Sequence, residues 1–194
     1  HFFYYYVTNR SDPDPVNRYL AYASVVDAEK AKLIEAAVAG ITPLPTVSPM
    51  FLQLYLRILT DESLSPATRA LFLNVHEAIP SRGDLGHHYQ YIADARRILL
   101  TAIYQTHGTI ISKMFQKLFQ EGQDRQGAAQ IDGLMERPLM YVLYSILEVG
   151  QSLTLPPLLQ TLLSSTAMSD RFFALRAILQ SKTMDMSEIK SIQA

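Results

Sequence analysis

The apolar residues of this chain recur with the period of an α-helix from end to end. Phe51, Leu54, Tyr55, Ile58 and Leu59 fall at i, i+3, i+4, i+7 and i+8. Ile111, Met114, Phe115 and Leu118 repeat the spacing, as do Met140, Leu143, Tyr144 and Leu147, and again Leu155, Leu158, Leu159, Leu162 and Leu163. Each set draws one apolar stripe along a helix, and a stripe must be covered by another element. The strict alternation of a half-buried strand is not sustained anywhere. The reading is therefore all-α, with helices near 2–9, 15–39, 49–60, 66–76, 87–107, 109–121, 136–149, 154–165, 169–181 and 186–192.

Helix punctuation supports these boundaries. Ser48-Pro49 and Ser65-Pro66 place a capping hydroxyl before a proline whose missing N–H costs nothing in the first turn. Ser169-Asp170 offers a further N-cap. Gly40, Gly108 and Gly150 sit where helices should stop, because glycine accepts the left-handed closing residue. Connections are short except 77–86 and the Gln/Gly-rich 121–135, so consecutive helices should pack antiparallel as hairpins. Stacked hairpins forming an armadillo or HEAT-like superhelix fit best, with a compact helical globule as the competitor. Residues 1–14 read as a lead-in helix and turn and 15–194 as the helical array, all one helical domain. From these stripes Phe51, Leu54, Leu59, Met114, Phe115, Leu143, Leu147, Leu159 and Leu175 are expected to be buried.

Composition narrows the function classes. A formal net charge of -1 gives no electrostatic case for nucleic acid or an anionic membrane surface as partner. No apolar run approaches the roughly 20 residues of a membrane span. With no cysteine there is neither a disulfide framework nor thiolate chemistry, which fits a cytoplasmic location. The opening His1-Phe2-Phe3-Tyr4-Tyr5-Tyr6-Val7 lacks a basic region and a cleavage site, so it is not read as a signal peptide. It reads instead as the start of an excised piece, with sticky ends that favour self-association.

Chemistry-bearing constellations are few. His76-Glu77 followed by His87-His88 is the one group suggestive of a metal. An H-E-x-x-H helix needs its second histidine four residues after the first, and Pro80 stands there, unable to ligate and hostile to the helix. Adjacent histidines on a helix would also point apart, so the expectation is surface histidines at a helix end. Gly83-Asp84-Leu85-Gly86 reads as a turn, since a nucleic-acid loop of that pattern should be basic. Glu29, Glu35, Asp61 and Glu148 read as solvated residues on polar faces or helix ends, and the eleven tyrosines as the edges of the core. No catalytic, cofactor-binding or metal-binding residue is nominated.

Several segments, taken in order, resemble the C-terminal helical domain of bacterial-type aminopeptidase N, a zinc peptidase family. Asn9-Arg10-Ser11-Asp12-Pro13-Asp14-Pro15-Val16-Asn17-Arg18-Tyr19 is similar to the family's Asp-Pro, Asn-Arg-aromatic run, with an inserted Asp-Pro step and Tyr for Trp. Ser48-Pro49-Met50-Phe51 through Leu59-Thr60-Asp61 and Leu64-Ser65-Pro66-Ala67 resembles a second stretch. Ile92 to Leu99, Arg137-Pro138-Leu139 and Ala167-Met168-Ser169-Asp170-Arg171 match further elements, so the likeness spans about 10–180 and is weaker around 77–90 and 121–135. The resemblance implies a non-catalytic helical domain that caps an upstream thermolysin-like domain and limits access of peptides to its zinc. That upstream chemistry needs H-E-x-x-H, a distal glutamate and G-x-M-E-N, and none of these occurs here. It also implies zinc in the parent but none in this chain. The partners would be the catalytic and β-sandwich domains of the same polypeptide, and peptide substrates of the parent. A stand-alone helical-repeat module that binds protein or peptide is the alternative.

Overall fold

A computed structural model describes residues 12–80, 82–124, 135–150 and, further on, 163–165, 168, 170–172, 174 and 175. Within them lie α1 (Pro15–Val38), α2 (Pro49–Leu59), α3 (Pro66–Leu73), a 3-10 turn (Gly83–Leu85), α4 (Tyr89–Asp124) and α5 (Arg137–Val149). No strand occurs among the described residues. None of their helices is long and apolar enough to cross a membrane.

Helix starts follow local chemistry. The Asp14 carboxylate accepts the Val16 N–H at 2.8 Å, with Pro15 in the first turn. The Ser65 hydroxyl accepts the Thr68 N–H at 3.1 Å, as its Ser-Pro pair predicts. Ser48 departs from that expectation, since its hydroxyl makes no cap. Its backbone N–H instead donates to Glu29 Oε2 on α1 at 3.2 Å, so α2 is positioned by a neighbouring helix rather than by its own cap.

The three glycines play different parts. Gly40 has φ +69° and closes α1, with Ile41 N–H donating to Ala36 O at 2.9 Å and Gly40 N–H to Ala37 O at 3.0 Å. These are the paired bonds of a Schellman ending, which an L side chain would strain. Gly108 does not stop a helix. α4 runs through it for 36 residues, about 54 Å at 1.5 Å per residue. A Cβ at Gly108 would lie 3.0 Å from the Tyr104 ring, and one at Gly150 would lie 2.5 Å from it. Both glycines therefore make room for one aromatic ring between α4 and the end of α5, and Gly150 ends α5 with ordinary helical φ of -78°.

α4 is the spine. It packs most extensively against α5 and also against α1 and α2, while α3 lies on α5. Phe51, Leu54, Leu59, Phe115, Leu143 and Leu147 are buried, as their stripes predict. Met114 is half-buried against the core, and Leu175 is 42% exposed, which corrects its expected burial. Its neighbour Ala174 is the residue turned inward. Leu159 and residues 1–7 lie outside the described residues. Tyr22, Tyr55 and Tyr144 are buried centres of the core rather than its edges. Burial drives all three phenols up, and the Tyr55 hydroxyl is satisfied by Leu73 O at 3.1 Å.

Two substitutions test this packing in urea unfolding. Leu143→Ala should cost about 2–5 kcal/mol, as a fully buried leucine does on truncation. Gly150→Ala should cost about 1–3 kcal/mol by overpacking against Tyr104, while Gly108→Ala stays near neutral because helix propensity returns about 1 kcal/mol. Equal effects at the two glycines would show that the ring is not wedged between them.

Candidate functional site

The short segments that carry the resemblance meet one another as ion pairs. Arg18 of the Asn17-Arg18 pair donates to Asp61 Oδ2 at 2.8 Å, and Asp61 belongs to the Leu59-Thr60-Asp61 element. Asp61 also accepts the Ser63 hydroxyl at 2.5 Å and N–H at 3.0 Å. Burial alone would raise its carboxyl, but the Ser63 and Arg18 donors together hold it below the usual carboxylate range. Arg137 likewise meets Asp170 at 3.1 Å. Asp170 further accepts from Tyr141 at 3.0 Å and from Ser165 at 2.9 Å. These motifs are fasteners between helices distant in sequence.

A second set of polar groups is buried. Lys30, only 1% exposed, donates from Nζ to Ala78 O at 2.6 Å and His76 O at 3.0 Å, and lies 3.3 Å from Asp27 Oδ1. Its ammonium is lowered chiefly by burial, with Asp27 opposing. Arg96 of α4 donates to Val75 O at 2.8 Å. Two cations from two helices thus grip the backbone that follows α3. Arg82, further along the same connection, pairs with Glu35 of α1 at 2.7 Å and with Asp84 at 2.8 Å. Hydrogen bonds to Asp84 and Glu35 raise this guanidinium, and the same bond to Arg82 lowers Asp84.

Of the carboxylates expected on solvated faces, Glu35 alone is exposed, and it is paired with Arg82. Glu29 is 2% exposed, accepting Lys32 Nζ at 2.6 Å besides Ser48 N–H. Its burial is set by a helix that arrives from elsewhere in the chain, which no local pattern reveals. Glu148 is half-buried, and burial raises its carboxyl against the pull of Arg96.

The singled-out histidines lie at helix ends as expected, with His76 and His87 exposed and His88 half-buried. His87 and His88 precede α4 rather than sitting on it, and their rings lie side by side with centroids 3.9 Å apart. His76 is exposed, with its carbonyl held by Lys30. His107, which the sequence did not single out, is buried, and its Nε2–H donates to Leu52 O at 2.9 Å to fasten α4 to α2. Among the described residues no group of three His, Cys, Asp or Glu side chains is placed to hold a metal ion.

Among the described residues, a groove of about 500 Å³ lies between the Pro45–Val47 segment and one face of α4. Leu52, Ile98 and Val149 give it an apolar floor, and Arg97 is the one charged residue that lines it. The Thr101 and Thr106 hydroxyls each donate back to their own helix at 2.8 Å, to Arg97 O and Ala102 O. No carboxylate is among its lining residues, so the groove offers apolar and neutral polar contacts beside one guanidinium.

Two variants test the polar interior. Lys30→Met leaves the His76 and Ala78 carbonyls without their donor, so it should cost about 1–3 kcal/mol and quicken proteolysis within 74–80. For Glu148 the raised folded value means that the unfolded state releases its proton first. Stability is therefore lost as pH rises through the carboxylate range and stays low above it. Glu148→Gln should raise the melting midpoint at pH near 7, with a gain that shrinks towards about pH 4 as wild-type Glu148 protonates. A gain independent of pH would contradict the assignment.

No curated protein sequence matches the chain. A family model does, over residues 5–191, with the description "Domain of unknown function (DUF3458_C) ARM repeats". With nearly the whole chain covered, and with the helical array and its inter-helix fasteners in place, the chain belongs to this ARM-repeat family, the C-terminal domain family of aminopeptidase N-like proteins.

Proposed function

We propose that the chain serves as the non-catalytic C-terminal helical domain of a zinc-dependent aminopeptidase N, in which it covers the catalytic domain and limits the approach of peptides. The family match over residues 5–191 carries this reading. The segment order described from sequence, from Asn17-Arg18 to Asp170-Arg171, supports it. The Arg18–Asp61 and Arg137–Asp170 pairs give those segments a physical purpose, which is to hold the array in one shape. A domain that narrows the path of a substrate must be rigid, and cross-helix ion pairs with half-buried partners serve rigidity better than exposed ones do.

On this reading, zinc, the general base and the amine-binding residues belong to the upstream domain of a cytoplasmic parent. The partners of this chain are that domain, the β-sandwich domain and the peptides passing between them. The groove beside α4 favours one other reading, a helical-repeat module that binds a peptide in its own right.

Side-by-side assays separate the two. The 194-residue chain should bind no stoichiometric zinc and hydrolyse no alanyl-anilide, whereas the full-length parent should do both. Zinc at one per chain in the isolated domain would overturn the non-catalytic role. A parent with neither zinc nor peptidase activity would remove the aminopeptidase assignment and leave the binding module.

A further inference from the structure

The groove beside α4 has its wall and floor fixed from the core. The Pro45–Val47 wall is held from α1, where Lys32 Nζ donates to Thr46 O at 3.0 Å and Glu29 accepts the Ser48 N–H at 3.2 Å. The Leu52 floor is held from α4 by the bond between His107 and Leu52 O. Glu29 and His107 are themselves buried, so neither surface shifts unless the core does. A cleft that need not rearrange loses little binding free energy to ordering.

Its lining is of two kinds. Leu52, Ile98 and Val149 are half-buried apolar side chains, and Ala102, one turn on from Ile98, keeps that face of α4 low. Arg97 and Gln105 are exposed polar residues. Arg97 commits one Nη to Asp94 at 3.1 Å, in an i,i+3 pair of 67% and 48% exposure, and so open a pair contributes little. Among the described residues its remaining nitrogens make no bond, which keeps a two-donor edge for a carboxylate. Asp94 itself does not line the groove. Of the nearby carboxylates, Glu29 is taken by Lys32 and Ser48, and half-buried Glu148 lies in the field of Arg96. An occupant matched to this lining is apolar along the floor and negative where it meets Arg97.

We propose that the groove takes an extended peptide segment in which a glutamate or aspartate stands between apolar side chains. The carboxylate accepts from Arg97, and the apolar neighbours cover Leu52, Ile98 and Val149. The planar fork of arginine suits this task, since it meets both carboxylate oxygens at once. The proposal rests on the reading of the chain as a module that binds a peptide in its own right.

The test is fluorescence anisotropy on the full chain, with labelled peptides of one leucine- and valine-containing sequence whose central residue is glutamate, glutamine or lysine. Capped termini remove any contribution from peptidase activity or a terminal charge. The glutamate peptide should bind roughly tenfold tighter than the glutamine peptide, the scale of one charge-assisted hydrogen bond, and the lysine peptide should bind weakest. Arg97→Gln alters an exposed side chain, so it should keep the melting midpoint and bring the glutamate peptide down to the glutamine level. Ala102→Leu places a good helix former in the groove and should weaken both peptides alike. Should that variant melt early, Arg97→Gln still reads the same surface. Equal binding of the glutamate and glutamine peptides, or a glutamate preference that survives Arg97→Gln, would overturn the acidic occupant while leaving peptide binding in place. Binding by none of the three would remove the peptide-binding reading as well, and binding indifferent to a folded Ala102→Leu would overturn the groove as the site.

Discussion

The arrangement depends on α4 continuing through Gly108. A glycine inside a helix costs up to about 1 kcal/mol against alanine, and a sequence reader places a helix end there. The helix continues because the Tyr104 ring occupies the space that side chains at Gly108 and Gly150 would claim. That wedge sets the closeness of α5 to α4, the most extensive helix contact in the described structure. Because α4 is unbroken, one face of it can serve several neighbours at once. Its Arg96 reaches the loop after α3, its His107 reaches α2, and its outer face forms one wall of the groove.

Polar groups in this core act as directional fasteners where apolar packing alone leaves helices free to slide. Apolar contact is nonspecific in direction, so a stripe on a stripe permits more than one register. The bonds from Lys30 to two carbonyls, from Glu29 to the start of α2 and from His107 to Leu52 O each specify one register. The half-buried pairs Arg18–Asp61 and Arg137–Asp170 add further ties between segments distant in the chain. Such fastening suits a repeat array, in which each hairpin touches chiefly its neighbours and errors of register would accumulate.

The family assignment gives these fasteners a setting. An ARM-repeat domain contributes shape, and shape in a helical array is the sum of its inter-helix geometries.

The class and the positions of the described helices were legible in the chain alone, because a 3.6-residue stripe and a Ser-Pro or Asp-Pro start are local physics. So were Phe51, Leu54, Leu59, Phe115, Leu143 and Leu147 as core, and the Schellman ending at Gly40. What the chain alone could not disclose were the roles set by partners far away in sequence. Gly108 looks like a terminator until Tyr104 and Gly150 are brought to it. Glu29 and Lys30 look like surface charges on a polar face until Ser48 N–H and the carbonyls of the loop are docked upon them. His107 gives no spacing signal, because its partner is a backbone carbonyl on another helix. Periodicity reports which face is apolar, and a helix carries that pattern by itself. Whether a charged side chain is buried is decided by which element covers it, and only the tertiary structure makes that choice.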